Sequence, residues 1–172
     1  MITQRSNVHL LAEVHDMRIA IGCDDAAVEL KEALKAHMQE KQIEVVDFGV
    51  HAGEVVDYPD VAHTVATKVS EGEFERAVLV CGTGIGMAIV ANKVPGVRAA
   101  VCHDPYSAER ARKSNNAQVI CFGARVIAPE LAKSLLDIWL ASEFQGGNSA
   151  RKVDKIVKID EDYRGRRSDV SA

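Results

Sequence analysis

Apolar and polar positions follow a repeating order along this chain, in which short apolar runs alternate with longer stretches of helical spacing. The apolar runs predict five strands, at residues 17–22, 43–48, 77–80, 97–102 and 119–122. Between them, apolar residues recur every three or four positions, which is typical of amphipathic helices. Strands that alternate with helices predict a parallel sheet with right-handed crossovers. The expected fold is a single-domain, Rossmann-like α/β/α sandwich with an extra C-terminal helix.

The order of the five strands decides where a ligand would bind. The commonest order for such a sheet, as in flavodoxin-like folds, is 2-1-3-4-5, and its topological switch point lies between strands one and three. Ligands bind where those two strands end. The order therefore predicts that Asp24 and Asp25, after strand one, face Cys81 and Thr83, after strand three.

Both ends of the chain differ from this regular middle part. Residues 1–16 are weakly patterned and are expected to form a tail, whereas residues 17–148 are expected to form the α/β domain. Residues 149–172 are expected to form a last helix and a tail. Because that helix follows the last strand and has only a narrow apolar stripe, it needs a surface to cover. We expect this surface to belong to a second subunit, although the helix could also fold back on its own domain.

The third strand runs directly into a glycine-rich loop at residues 81–86, with the sequence CGTGIG. Glycines at alternate positions let the backbone turn sharply and point successive N–H groups into one concavity. The helix that follows adds its own unpaired N–H groups and the positive end of its dipole. Such a loop holds an anion, either a phosphate or an oxyanion that forms during a reaction. It also places Cys81 in a field that favours the thiolate.

A thiolate, an amide-lined concavity and a carboxylate are the parts needed to abstract a proton next to a carbonyl. Cys81 would act as the base, the amides of Gly82–Gly86 would hold the oxyanion, and Asp24 would move hydroxyl protons. An aldose–ketose isomerisation through a cis-enediol fits these parts and requires no cofactor and no metal. Simpler roles stay open, with Cys81 as a small buried side chain, Asp24 as a helix cap and Thr83 as a loop residue.

Two further polar residues follow strands at the same edge of the predicted sheet. His103 follows strand four, beside Asp104, which is expected to cap the next helix with Pro105 at its first position. Arg125 follows strand five, where its side chain could either bind a phosphate or form a surface ion pair.

Composition narrows the class of protein. The 172 residues carry a net charge of −4 and are 47% apolar, which is typical of a globular domain and gives no overall electrostatic indication of a nucleic-acid partner. No apolar run is long enough to span a membrane, and the first sixteen residues are not expected to be a signal peptide. Four cysteines without C-x-x-C spacing then indicate reduced thiols in the cytoplasm.

Three other kinds of site are disfavoured by residue spacing. The loop resembles a dinucleotide fingerprint, but its glycines are not spaced G-x-G-x-x-G and it follows the third strand rather than the first. A Walker A loop would need Gly-Lys-Ser or Gly-Lys-Thr, which this sequence lacks. The four cysteines show no recognised spacing of metal ligands.

Short motifs with specific residues occur along most of the chain. Between about residues 17 and 158 they include Gly22-Cys23-Asp24, Asp57-Tyr58-Pro59, Cys81-Gly82-Thr83-Gly84-Ile85-Gly86, Ala91-Asn92-Lys93, Asn115-Asn116-Ala117 and Phe122-Gly123-Ala124-Arg125. Together they resemble the ribose 5-phosphate isomerase B / galactose 6-phosphate isomerase subunit family. The resemblance implies an enzyme that interconverts aldose and ketose phosphates without a cofactor. It also implies a homodimer, or a dimer of dimers, whose active sites are shared between subunits.

The resemblance assigns a role to each matching position. Cys81 resembles the family's base, which moves the proton between C1 and C2, and Thr83 resembles its partner near the substrate hydroxyls. Gly82–Gly86 resemble the anion hole for the enediolate. The positions that resemble sugar-binding or phosphate-binding residues are Asp24, Tyr58, Asn115 and Arg125.

Three positions depart from the family pattern and change the expected substrate. Asp25 stands where most members have a phosphate-binding His, and Ser114 stands where they have the His that opens the sugar ring. Asn148 stands where they have a phosphate-binding Arg. The cations that are left to hold a phosphate are Arg125, Arg151 and Lys152. A four-carbon 4-phosphate cannot close the furanose ring of a pentose phosphate, so the missing ring-opening His fits an open-chain substrate.

The family resemblance implies that the substrate is a short sugar phosphate of the ribose 5-phosphate/ribulose 5-phosphate type. An alternative is erythrulose 4-phosphate/erythrose 4-phosphate, or a sugar or uronate without a phosphate. A function of a different class also stays open, namely a sugar-binding relative that kept the glycine-rich loop of residues 81–86, here called the anion loop, and lost turnover.

Overall fold

The computed structural model describes residues 17–168, so the tail predicted for residues 1–16 lies outside the described part. The strands are β1 (Arg18–Cys23), β2 (Glu44–Asp47), β3 (Arg76–Cys81), β4 (Ala99–Val101) and β5 (Val119–Gly123). The helices are α1 (Val28–Glu40), α2 (Tyr58–Ser70), α3 (Ile85–Ala91), α4 (Pro105–Lys113), α5 (Pro129–Leu140) and α6 (Ala150–Ser168), with a 3₁₀ turn at Asp25–Ala27 before α1. This alternation confirms the predicted α/β fold class. No helix between residues 17 and 168 is long and apolar enough to cross a membrane.

The five strands form one parallel sheet in the order β2-β1-β3-β5-β4. The predicted order of the last two strands is wrong, because β5 and not β4 pairs with β3. A strand inside a parallel sheet is covered on both faces and needs a continuous apolar run. The five residues of β5 are all buried, whereas the three residues of β4 are half-buried, so β5 takes the inner place. The switch point between β1 and β3 lies where it was predicted.

Helices cover both faces of the sheet. One face packs against α1, α4 and α5, where Leu34, Leu135 and Trp139 are fully buried. The other face packs against α2 and α3, where Val65 and Met87 are fully buried. The connections into β2 and β5 run toward one side edge of the sheet, and those into β3 and β4 run toward the other. Right-handed crossovers therefore place the two sets of helices on opposite faces.

Three helices begin with a proline in the first turn, which fits the fixed backbone angle of that residue. These prolines are Pro59, Pro105 and Pro129. The predicted cap of α4 is confirmed, since the Asp104 carboxylate accepts a hydrogen bond of 2.8 Å from the Ser107 N–H. Each of these helices follows the carboxyl end of a strand. Their first turns therefore lie at the edge of the sheet where the switch point is.

Asn92, the residue that ends α3, covers the outer side of the edge strand β4. Its side-chain amide donates to the Ala99 carbonyl at 2.8 Å and accepts from the Ala99 N–H at 2.9 Å. A neighbouring strand would make the same pair of bonds. The amide also donates to the carbonyl of Ala88 within α3. The outward-facing backbone groups of Ala99 are therefore already hydrogen-bonded.

The C-terminal helix α6 lies against the loop that enters β4. Val153 is buried, and the Gly96 N–H donates to the Asp160 carboxylate at 2.7 Å. Further along the same helix, Ile156 and Ile159 are 44% and 57% exposed. The helix thus covers its own domain with part of its apolar stripe and leaves another part open. That a second subunit covers the open part remains a prediction.

Candidate active site

Cys81 closes β3 and is almost fully buried, with 5% of its surface exposed. The N–H of Gly84 donates to the Cys81 sulfur over a distance of 3.1 Å. This turn requires a glycine, because Gly84 has a φ of +76° and a Cβ there would lie 3.0 Å from the Phe122 backbone. A backbone N–H directed at sulfur stabilises negative charge on it. The glycine-rich loop thus directs one backbone N–H at the sulfur, and the role of Cys81 as a base stays a prediction.

Thr83 lies at the exposed top of the same loop. Its hydroxyl oxygen accepts a hydrogen bond of 3.3 Å from the Ile85 N–H. The helix α3 that starts at Ile85 has only seven residues, so its dipole is short. The loop amides, more than the helix, are therefore the groups that can hold an anion here.

The end of β5 supports the anion loop from below. The Ala124 N–H donates to the Cys81 carbonyl at 2.8 Å, and the Arg125 N–H donates to the Gly82 carbonyl at 3.0 Å. The Arg125 side chain lies over Gly82, where a Cβ would come within 3.6 Å of its guanidinium group. The structure thus places the predicted cation Arg125 on the anion loop and not in a distant ion pair.

Asp24 directly follows β1. Because Cys23 pairs with Val80 in the parallel sheet, the next residues along the two strands, Asp24 and Cys81, lie side by side. Its carboxylate makes no capping hydrogen bond to the helix that follows, so the alternative role as a helix cap is not supported. One carboxylate oxygen is buried without a partner. Burial raises the pKa of Asp24 above its ordinary value, and the adjacent Asp25 carboxylate raises it further, while the backbone N–H groups of Ala26 and Asp24 and, to a smaller extent, the Arg125 charge act in the opposite direction. Asp25 itself is exposed on the 3₁₀ turn.

Tyr58, at the start of α2, lies against the other side of the loop. A Cβ built on Gly86 would meet the Tyr58 ring at 2.5 Å, so only glycine lets the ring approach the first turn of α3. The ring is 40% exposed. Tyr58 therefore stands beside the loop that contains Cys81, and its role as a sugar-binding residue stays a prediction.

The three other cysteines are buried in surroundings that raise the pKa of their thiols. Burial raises the pKa of Cys23 to about 11 and that of Cys102 to about 12. Burial likewise raises the pKa of Cys121, which is fully enclosed in the sheet. These thiols are neutral at physiological pH and act as small apolar side chains.

Four predicted substrate-binding residues do not lie near Cys81 in the same chain. The helix α4 runs from the carboxyl end of β4 back to the amino end of β5, so the residues after it lie at the opposite edge of the sheet. The segment before α6 is joined to this place by a hydrogen bond of 3.1 Å from the Gln145 N–H to the Lys113 carbonyl. The four residues at this edge are Ser114, Asn115, Arg151 and Lys152. One chain alone therefore separates the predicted site into two halves.

The turn at the opposite edge is held by two arginines to which the sequence analysis assigned no role. Asn116 has a left-handed φ of +48°. The buried Arg112 donates to its side-chain oxygen at 2.8 Å, and Arg98 donates to its carbonyl at 3.1 Å. These bonds fix the conformation of the turn that carries Ser114 and Asn115. A hydrogen bond between an arginine and a distant turn forms only in the folded chain, so no periodic pattern in the sequence indicates it.

His103 has a partner that the sequence could not reveal. The Gly123 N–H donates to its ring nitrogen Nε2 at 3.0 Å. Burial lowers the pKa of His103, and the Asp104 carboxylate opposes this effect. The ring is therefore tied to the end of β5, directly next to the anion loop.

One cluster of possible metal ligands occurs among the described residues, formed by Glu32, Asp47 and His51. The ammonium groups of Lys31 and Lys35 both lie 2.8 Å from one Asp47 carboxylate oxygen. Two lysines already neutralise this carboxylate, so the cluster is an ion-pair network and not a built metal centre.

Comparison with known proteins gives a consistent result. The model of the Ribose/Galactose Isomerase family matches residues 19–156. A D-erythrulose-4-phosphate isomerase of Pectobacterium atrosepticum is 57% identical over 141 residues, which cover 81% of this chain and 93% of that protein. A protein named ribose-5-P isomerase B of Listeria innocua is 55% identical over 148 residues, or 86% of this chain and all of the relative.

The fold agrees with a solved structure of similar sequence. Ribose-5-phosphate isomerase B of Clostridium thermocellum superposes with a TM-score of 0.83 and 45% identity, over 86% of this chain and 99% of that chain. The match in sequence and in fold covers both halves of the candidate site. The chain belongs to the Ribose/Galactose Isomerase family.

Proposed function

We propose that this chain is a cofactor-free aldose–ketose isomerase of a short sugar phosphate, with Cys81 as the base. The observation that carries this proposal is the Gly84 N–H that points at the Cys81 sulfur inside the glycine-rich loop. A sulfur so placed can hold a negative charge and remove a proton from carbon. The same loop offers amides to the oxygen of the intermediate.

The proposed reaction moves one proton between two carbons. The Cys81 thiolate removes the proton from the carbon next to the carbonyl, and the electron pair forms a cis-enediolate. Amides of the Gly82–Gly86 loop other than the Gly84 N–H, which is directed at the sulfur, stabilise the oxyanion. Asp24 passes the hydroxyl proton between the two oxygens, and the Cys81 thiol then returns its proton to the neighbouring carbon. Atoms and charge balance without a redox group.

Substrate length is set by how the sugar opens. The ring-opening His of the family is replaced by Ser114, whose hydroxyl does not gain or lose a proton near neutral pH as an imidazole does. A tetrose 4-phosphate is open-chain at the reacting carbons and does not need that step. We therefore infer that erythrulose 4-phosphate/erythrose 4-phosphate is preferred, with ribose 5-phosphate as the slower substrate. The similarity to relatives with both activities supports both compounds as candidates.

The two halves of the site support a homodimer, or a dimer of dimers. Cys81 and Asp24 lie at one edge of the sheet, and Ser114, Asn115 and Lys152 lie at the other. A second copy that places its far edge against the first would complete each site. The phosphate would then contact Arg125 of one subunit together with Arg151 and Lys152 of the partner subunit. The half-exposed apolar residues of α6 supply surface for such a contact.

A cytoplasmic location fits the thiol chemistry. All four cysteines are free in the structure, and the proposed base must stay reduced to act. The proposed partners are a small sugar phosphate and further copies of this chain. Neither a nucleic acid nor a membrane is part of the proposal.

Proton exchange with solvent tests the activity. Erythrulose 4-phosphate and ribose 5-phosphate are incubated with the enzyme in heavy water and followed by proton NMR. We expect deuterium at the C1 or C2 position of both compounds, with kcat/KM about tenfold higher for the four-carbon substrate. If no aldose or ketose phosphate of four, five or six carbons exchanges, the chain is a sugar-binding relative and the proposal is wrong.

The role of Cys81 is tested in the same assay. Cys81→Ala is expected to lower the exchange rate at least about 1,000-fold while sugar-phosphate affinity stays within about threefold. The matched control is Cys102→Ala, which removes a buried thiol away from the loop and is expected to exchange normally. Near-normal exchange by Cys81→Ala would remove the thiolate from the mechanism.

A further inference from the structure

His103 is a half-buried imidazole that the proposed mechanism does not use. It follows β4, and its ring nitrogen Nε2 lies 3.0 Å from the backbone nitrogen of Gly123 at the end of β5. Because the N–H is the donor, Nε2 carries no proton, and the neutral ring holds its proton on Nδ1. The hydrogen bond therefore requires the neutral imidazole.

The hydrogen bond between Gly123 and His103 lies just beyond the point where the backbones of β4 and β5 stop pairing. The strand β4 bonds to β5 as far as Cys102, whose N–H donates to the Cys121 carbonyl at 3.2 Å. The chain then turns away into α4 at Asp104. The Gly123 N–H lies beyond this last backbone bond and takes the imidazole as its acceptor. His103 thus extends the pairing of β4 and β5 by one hydrogen bond.

Gly123 in turn supports the anion loop. A Cβ built on Gly123 would lie 2.8 Å from the Thr83 Cα, so the two backbones are in direct contact. The next two residues of the chain donate to the carbonyls of Cys81 and Gly82. The end of β5 therefore determines where the amides of the loop stand.

We propose that His103 is a positioning residue for the isomerisation, whose neutral imidazole holds the end of β5 and thereby the anion loop that surrounds Cys81. The inference rests on the proposed function, which gives the loop an oxyanion to hold. Protonation would turn a second N–H toward the Gly123 N–H and release the end of β5. Displaced amides weaken the binding of the transition state more than the binding of the substrate. We therefore expect kcat to fall more than the affinity for the substrate.

The surroundings of His103 keep the ring neutral at physiological pH. Partial burial lowers the pKa of His103 below the ordinary value for imidazole, and the carboxylate of Asp104 on α4 opposes this change. Within residues 17–165, Asp104 is the charged group that acts on the ring, while β5 presents the uncharged N–H of Gly123. The bond is therefore lost only in acid.

The test compares two substitutions of His103. His103→Gln keeps an acceptor near the position of Nε2 but cannot titrate, whereas His103→Leu removes the acceptor. At pH 8, the Leu variant is expected to lose about tenfold in kcat with less than about a twofold change in KM, and the Gln variant is expected to recover most of this loss. In acid, the wild type is expected to lose more kcat than the Gln variant, because only the wild type loses the hydrogen bond between residue 103 and Gly123. His63→Gln, an exposed histidine of α2, is the matched control and should keep the wild-type pH profile.

Either of two kinetic results overturns the proposal: a Leu variant with the wild-type kcat at pH 8, or a Gln variant with the wild-type fall in acid. If the Leu variant does not fold, nitrogen-15 NMR of the wild-type protein still decides. A signal from the Nδ1–H tautomer at pH 8 supports the proposal, and the Nε2–H tautomer overturns it. This spectrum needs no turnover, so its outcome is separate from the failure of the isomerase proposal, which would appear as no proton exchange by the wild type.

Discussion

Among the described residues, Asp24 is one of four side chains with a buried polar atom that has no hydrogen-bond partner, and it is the one beside Cys81. One of its oxygens is buried without a hydrogen-bond partner, in a structure where nearly all such atoms have one. An unpaired buried acceptor costs about 1–3 kcal/mol of stability. The proposed substrate carries hydroxyl groups that can donate to this oxygen. We infer that the protein tolerates the cost because the missing donor arrives with the sugar.

Replacing this carboxyl group separates stability from activity. Asp24→Asn is expected to raise the free energy of unfolding at pH 7 and to lower kcat at least about 100-fold, because Asn cannot pass a proton. The sign follows from the raised pKa of Asp24: the folded state resists ionisation, so the wild type loses stability as pH rises through the shifted range. Well below pH 3.8, the ordinary value, the carboxyl is protonated in both states and the advantage of Asn should disappear.

Urea unfolding at pH 7 and pH 3 measures the stability, and the exchange assay measures kcat. Asp154→Asn, on the exposed face of α6, is the control and should change neither by a significant amount. A less stable Asp24→Asn variant at pH 7 would contradict the assignment of a strained carboxyl.

Part of this residue-level picture could be predicted from the sequence. The glycine spacing after a buried strand placed Cys81 in an amide-lined loop, and the switch-point rule placed Asp24 beside it. The bonds of His103 to Gly123 and of Arg112 to Asn116 could not be predicted. Each joins a side chain to a backbone or side-chain atom that becomes a neighbour only after the sheet has formed.

At the scale of elements, buried Arg76 ties the start of β3 to the end of α5. Its guanidinium donates to the carbonyls of Trp139, Leu140 and Ser142 at 2.9–3.2 Å and to the Glu143 carboxylate. The last carbonyls of a helix have no partner inside the helix. One charged side chain therefore satisfies the end of α5 and fixes it to the centre of the sheet.

Removing Arg76 should destabilise the fold strongly. Arg76→Leu is expected to lower the free energy of unfolding by about 3 kcal/mol, because several buried acceptors lose their donor. The matched control is Arg18→Leu, which breaks an exposed ion pair with Glu44 and should cost less than about 1 kcal/mol. Urea unfolding measures both changes. Equal effects of the two substitutions would show that the buried bonds add nothing beyond a surface pair.

The order of the last two strands shows where element-level prediction ended. The apolar pattern gives the number and the class of the strands, but both 2-1-3-4-5 and 2-1-3-5-4 satisfy right-handed crossovers. The choice depends on how far each strand is covered. The short strand β4 is half-buried, whereas β5 is fully buried. This difference in burial places β5 beside β3, but it becomes visible only in the folded structure.

For the whole molecule, the main feature is that one chain holds the two halves of the proposed site at opposite edges of its sheet. The family resemblance implied sites shared between subunits, and the topology gives a physical reason. The helix α4 carries Ser114 and Asn115 away from the edge where Cys81 lies. No rearrangement of side chains can close a gap that spans the length of the strands.

Shared sites predict complementation between inactive variants. Cys81→Ala and the double variant Arg151→Ala/Lys152→Ala should each be nearly inactive alone. After subunit exchange in mild denaturant, an equal mixture should recover about one quarter of the wild-type kcat, since half of the dimers are mixed and each has one intact site. The exchange assay in heavy water measures the recovery.

The control mixture combines Cys81→Ala with Asp24→Asn. Both positions lie at the same edge of one chain, so no mixed dimer gains an intact site and no recovery is expected. If the first mixture also stays inactive although native mass spectrometry shows mixed dimers, the sites are not shared.

The amide of Asn92 limits how copies of this protein can associate. Because it already bonds both outward-facing backbone groups of Ala99, a neighbouring strand could pair with this part of β4 only by displacing the amide. The amide therefore favours contacts between copies that are made by side chains over contacts that extend the sheet at β4. Contacts of that kind can be altered by substitution without disturbing backbone pairing, so quaternary structure can diverge among relatives while the architecture of each subunit is retained.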